Sequence, residues 1–205
     1  FHVISNDAVS TSNLIIGIVM AVLVALILLG GVKRIGQVTE KLVPFMALLY
    51  IVLGIGVVIL NIGEVPGVFK AIFAGAFSPR GITGGIVGSM FMAMKRGFSR
   101  GIFSNEAGLG SAPIAAAAAK TNEPVRQGLV TMTGTFIDTI IVCTLTGLSI
   151  VMMGSYQVKG IEGVQVTTDA FKKGLSFLPA EVSAVILMVC LVFFAFTTIL
   201  GWNYY

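Results

Sequence analysis

The chain has 205 residues, of which 56% are hydrophobic and 11% charged, with a mean hydropathy of +0.99 and a formal charge of +4. Soluble domains carry about 25% charged residues, so this composition excludes an ordinary soluble protein and describes one dissolved in lipid. The thirteen lysines and arginines are scattered along the chain and form no nucleic-acid footprint. Cys143 and Cys190 lie inside apolar runs and read as small packing residues, not a disulfide. His2 is the only histidine, so no nucleophile–histidine–acid set is available and an enzyme is not expected. The chain opens at Phe1 without a signal-peptide pattern and ends at Tyr205. It reads as an internal piece, truncated at both ends, of a single transmembrane domain.

In chain order, residues 1–12 are polar and expected outside the membrane. Residues 13–32 supply roughly the 20 apolar residues needed to cross about 30 Å of hydrocarbon, and Gly30-Gly31 closes the run. Residues 33–41 carry three positive charges against one negative and read as a loop. A second crossing follows over 42–60, with Pro44 in its first turn, where a missing N–H is harmless. Residues 68–77 read as a short surface helix. Residues 82–94 are apolar but span only about half a bilayer before Lys95, Arg96 and Arg100. That segment either dips in and returns, or forms the first half of a broken helix. Ser111 is placed to cap a short helix through the alanines at 115–119. A long crossing is expected over 125–153 and an external loop over 154–179, with an amphipathic helix at 164–175. A last crossing reaches Trp202, for about five transmembrane segments in all. If residues 82–103 cross, Lys33, Arg34, Lys41, Lys95, Arg96, Arg100, Lys120 and Arg126 share one side. Lys70, Arg80, Lys159, Lys172 and Lys173 lie on the other. Eight against five makes the first side cytoplasmic by the positive-inside rule.

The stretch Gly97–Pro113, GFSRGIFSNEAGLGSAP, interrupts this apolar pattern with glycines and charge. Irregular backbone at membrane depth must be covered by protein or line a water-filled cavity, which points to a transport site. Asp138 lies about thirteen residues into its crossing, near the bilayer middle. A bare charge there costs roughly 2.5–3.5 kcal/mol on insertion scales. Thr131, Thr135, Asp138, Thr146 and Ser149 recur at helical steps, as expected for one polar face. That face serves either gating and coupling or a hydrogen-bonded seam between helices. Thr197 and Thr198 are either hard oxygen ligands for a small alkali cation or threonines bonded back to a preceding carbonyl. Trp202, one turn beyond Thr198, walls a pocket or joins an interfacial belt with Tyr204 and Tyr205. Asn105 and Glu106 cap a cytoplasmic helix or belong to a gate. Gly108-Leu109-Gly110 is no phosphate loop, since no Gly-Lys-Ser/Thr follows.

The segment Arg100–Gly147, RGIFSNEAGLGSAPIAAAAAKTNEPVRQGLVTMTGTFIDTIIVCTLTG, strongly resembles the signature region of the alanine or glycine:cation symporters, the sodium:alanine symporter family. FAFTTILGWNYY, Phe194–Tyr205, is similar to that family's eighth core helix. The resemblance implies the all-α, five-plus-five inverted-repeat (leucine-transporter-like) fold. Residues 13–32 and 42–60 would be core helices four and five, 82–103 would contain the broken helix six, and 125–153 and 182–203 would be helices seven and eight. In such folds, unwound backbone near the midplane holds substrate and ion. By resemblance Gly97, Phe98, Gly101 and Trp202 would contact a small neutral amino acid, alanine or glycine. Thr197 and Thr198 would bind the transported sodium ion, and Asp138, Asn105 and Glu106 would serve gating or coupling. Ser104–Pro113 then becomes the cytoplasmic turn between helices six and seven, in a bacterial or archaeal plasma membrane. Proton coupling, an ion channel and a structural membrane subunit are the alternatives.

Overall fold

The computed structural model describes residues 6–77 and 86–203, and every regular element among them is helical. Helix α1 spans Asn6–Leu28 and α2 spans Gly31–Leu60, separated by a turn that ends at Gly31 with φ +68. A single 3-10 turn at Ile62–Glu64 leads into α3, Val65–Phe77. Helix α4 is Ile86–Ser104 and α5 is Ser111–Ala116. Helix α6 runs from Pro124 to Met152, with a π-helical segment at Phe136–Val142 in its middle. Helix α7 is Val164–Gly174 and α8 is Ala180–Trp202.

Several expectations change here. Residues 33–41 are not a loop but the first turns of α2. Charged Lys, Arg, Gln and Glu are good helix formers, and nothing between Gly31 and Pro44 stops a helix, so polarity there marks an interface and not a break. Pro44 consequently lies well inside α2, where it has no N–H to offer the carbonyl of Glu40. Ser111 does not cap α5: Gly110, with φ 82, holds that position. Three helices are long and apolar enough to cross a membrane among the described residues: α2, α6 and α8. Helix α1 has the length, and its described apolar part is Leu14–Leu28. Residues 1–5, 78–85, Tyr204 and Tyr205 lie outside the described residues.

Two units form along the chain, residues 1–46 with 189–205, and residues 47–188. In the first, Phe45 meets Phe193 edge-on at 6.3 Å, and Ile35, Met46, Cys190 and Leu200 are buried. In the second, the later half of α2 is the organising strip. Tyr50 is 4% exposed, lies 2.6 Å from the Thr146 hydroxyl on α6 and tilts against Phe171 of α7 at 5.5 Å. Glycines let these helices close: a Cβ on Gly54 would sit 3.1 Å from Leu145, and one on Gly174 only 2.5 Å from Val57. Asn61 ties the ends together by donating to the carbonyls of Val57 (2.8 Å) and Gly174 (2.9 Å). The outer face of α7 carries the Asp169–Lys173 pair at 2.6 Å. Burial opposes ionisation of Asp169, but the lysine hydrogen bond and charge prevail and hold its carboxyl below the ordinary range.

Candidate functional site

The site is built where the end of α4 meets the middle of α6, both within the second unit. Helix α4 closes with the N–H of Ala107 bonded to the carbonyl of Ile102 and that of Glu106 to Phe103. This is the paired arrangement of a Schellman cap, whose left-handed residue is usually glycine. Here it is Glu106, at φ 49, the only non-glycine with positive φ among the described residues. A side chain in that region costs roughly 1–2 kcal/mol. The Glu106 carboxylate accepts a hydrogen bond from the Ser111 hydroxyl, which pins the strained turn to α5.

Helix α6 begins well, with Pro124 in its first position, where its ring is pre-set for a helix. Its regular winding lapses at Phe136–Val142, and the N–H of Cys143 reaches back five residues to the carbonyl of Asp138. Such widened turns carry an extra residue and occur often at functional sites. Asp138 stands on this turn, half-buried. Ser104 Oγ donates to its Oδ2 at 2.7 Å. One residue on, Asn105 and Thr139 pair reciprocally: Asn105 Nδ2 donates to Thr139 Oγ1 at 3.1 Å, and Thr139 Oγ1 lies 3.2 Å from Asn105 Oδ1. Two polar doublets, Ser104-Asn105 and Asp138-Thr139, therefore meet in register. A hydrogen bond to a carboxylate is worth about 1.5–3 kcal/mol when charged, and a neutral one about 1. Together they are enough to hold a turn whose geometry departs from the regular helix.

The structure thus brings Asp138 and Asn105 together and places Glu106 beside them in sequence, tied to Ser111 instead. The expected polar stripe does not run straight. The extra residue at 136–142 shifts its phase, so Thr146 and Ser149 point toward buried surroundings while Thr131 and Thr135 are exposed. Thr139, which that stripe omits, is the residue sequence reasoning missed. Its available signal was adjacency, a hydroxyl next to Asp138 matching an amide next to Ser104.

Gly97, Phe98 and Gly101 sit within unbroken helix α4. No interruption occurs from 86 to 104, so the broken helix expected within 82–103 is continuous over its described part, and residues 82–85 lie outside the described residues. Single glycines weaken a helix by about 1 kcal/mol each without ending it. A Cβ on either glycine would meet nothing within 4 Å. Phe98 lines an open, largely apolar groove of about 660 Å³ with Phe91, Met94, Ile102, Phe103 and Leu109.

In the first unit, Thr197 is 8% exposed and its hydroxyl lies 3.0 Å from the carbonyls of both Phe193 and Phe194, and 3.6 Å from Met46 Sδ. Thr198 is exposed and donates to the Phe194 carbonyl at 2.8 Å. Both are back-bonded, yet a hydroxyl that donates its one proton keeps two lone pairs. Back-bonding and cation binding are therefore compatible. Trp202, 46% exposed, lies at the end of α8.

Comparison with known proteins gives this geometry a context. A Haemophilus influenzae protein named an uncharacterized transporter is 52% identical over 201 residues, covering 98% of this chain and 43% of that protein. The sodium/alanine symporter AgcS of Methanococcus maripaludis is 48% identical over 204 residues, covering 97% of this chain and 44% of the relative. A sodium/proton-dependent alanine carrier protein of a Bacillus species is 34% identical over 209 residues, 97% and 46% respectively. The chain thus spans less than half the length of these relatives. The model of the sodium:alanine symporter family matches residues 2–205, and the chain belongs to that family.

Proposed function

We propose that the protein of which this chain is part performs secondary active symport of a small neutral amino acid, alanine or glycine, with sodium across the plasma membrane. In this reading the chain supplies core helices four to eight of a five-plus-five inverted repeat. Thr197 and Thr198 contribute hydroxyl oxygens to the cation. Gly97, Phe98, Gly101 and Trp202 border the substrate. Cation binding organises the substrate site, and one repeat then rocks against the other to alternate access. The role is a carrier's, not an enzyme's.

The observation that carries the reading is Asp138. It stands in the apolar helix α6 with its carboxylate held by the Ser104 hydroxyl, on a π turn. Acids within membrane helices mark ion pathways and coupling by default. The family's own description, and the name of the Methanococcus relative, support sodium and alanine as the transported pair. A second reading, proton participation, is favoured by the name of the Bacillus relative.

The test is uptake of labelled alanine into proteoliposomes of the full-length protein under an imposed sodium gradient at equal pH, and under a proton gradient without sodium. Accumulation in the first condition and none in the second is expected. Accumulation under the proton gradient alone transfers the coupling to protons. No accumulation under either gradient rejects symport.

A further inference from the structure

We propose that Ser104 and Thr139 are positioning residues of the transport cycle, holding the π turn of α6 in register and thereby aiming the Asp138 carboxylate. The proposal rests on the reading of Asp138 as a coupling residue and names what governs it.

Three observations carry it. The first is the pairing of adjacent residues with adjacent residues: Ser104 with Asp138 at 2.7 Å and Asn105 with Thr139 at 3.1 Å. Neighbours on a regular α-helix diverge by about 100°, which disfavours both facing one partner. A wider turn reduces the divergence, and Asp138 and Thr139 on it both meet the end of α4. The second is the difference between the two halves of α6. Cys143–Met152 is fixed to α2, by Tyr50 on Thr146 at 2.6 Å and by Leu145 against Gly54. Pro124–Thr135 has no buried residue at all. The π turn therefore joins a half that packs on α2 to a half whose apolar surface is left for lipid or further helices. The third is Glu106, which follows the clasp immediately and is held in a left-handed conformation by Ser111. Local strain of this kind persists only where surrounding contacts enforce it, and it gathers at switch regions.

Opening the clasp frees the π turn to relax to regular helix. Removing one residue's worth of bulge rotates the Pro124–Thr135 half by about 100° and shifts it about 1.5 Å along its axis. The same motion carries Asp138 away from Ser104. Two discrete windings of one helix, selected by four side chains, constitute a bistable element of the type that rigid-body transport needs.

The experiment uses the full-length protein in proteoliposomes, with rates normalised to inserted protein. The variants are Ser104→Ala, Ser104→Thr, Thr139→Val and Asp138→Asn. Ser104→Ala and Thr139→Val are each expected to lower turnover about tenfold while the alanine KM stays within about twofold, the pattern of an interaction needed in the cycle and not in substrate binding. Amide exchange across residues 136–142 rises in both, since local opening becomes easier. Ser104→Thr, which keeps the hydroxyl, retains most of the turnover and the slow exchange. If Asp138→Asn is inactive while Ser104→Ala and Thr139→Val turn over like the parent, the positioning role is wrong and the reading of Asp138 stands. If Asp138→Asn also transports normally, both fall. Loss of turnover in Ser104→Thr equal to that in Ser104→Ala overturns the proposal too, because bulk and not the hydrogen bond would be the cause.

Discussion

Thr197 and Thr198 are adjacent on α8, yet their surroundings separate them. The Thr197 hydroxyl is enclosed near Met46 and two carbonyls, so its loss disturbs packing as well as any ligand role. Thr198 is exposed, with one back-bond to Phe194, and its substitution reports more cleanly. Replacing it with alanine removes one hydroxyl oxygen and little else. The expected result is a rise in the sodium concentration for half-maximal uptake of about tenfold, equivalent to about 1.4 kcal/mol. Thr198→Ser, which keeps the oxygen, is expected to stay near the parent value. Sodium titrations of alanine uptake check both, and an unchanged sodium requirement in Thr198→Ala removes this residue from the cation site.

At the scale of elements, α7 approaches α2 closely in the second unit. Gly174 faces Val57, which is fully buried, and an added Cβ would stand 2.5 Å and 3.1 Å from its two methyls. Gly174→Ala is therefore expected to destabilise by about 1–3 kcal/mol through overpacking. In the same protein, Val57→Ala makes room, so the double variant loses less than the sum of the two single losses. Thermal unfolding in detergent measures the coupling, and strictly additive losses would contradict this packing. Much of this element was legible in the residues. The α7 and α8 boundaries fall within a residue or two of their expected places, because glycine, proline and polar clusters bracket both. The start of α2 was hidden, since charge reports the surrounding medium and helix-forming charged residues are silent about winding. The π turn was hidden for a related reason. Phe136–Val142 has the composition of any membrane helix, and the extra residue shows itself only through the N–H of Cys143 reaching Asp138. So Asp138 and Asn105 stood out by polarity, while Thr139 emerged only from the pairing.

The whole molecule explains the large apolar surface left on this chain. Only 6% of the apolar window of α6 and 28% of those of α2 and α8 are buried within it. Surfaces of that kind require lipid or further helices, consistent with a multi-pass membrane protein whose relatives are more than twice as long as the chain. The central claim, coupled movement of sodium and amino acid, is thermodynamically reciprocal: if sodium drives alanine, alanine must drive sodium. The most direct measurement is entry of labelled sodium into proteoliposomes of the full-length protein against an outward sodium gradient, driven only by an inward alanine gradient. Alanine-dependent uphill sodium entry, abolished when alanine is equal on both sides, is the predicted result. Sodium flux indifferent to alanine, as a channel would give, or no sodium movement while alanine enters, contradicts it.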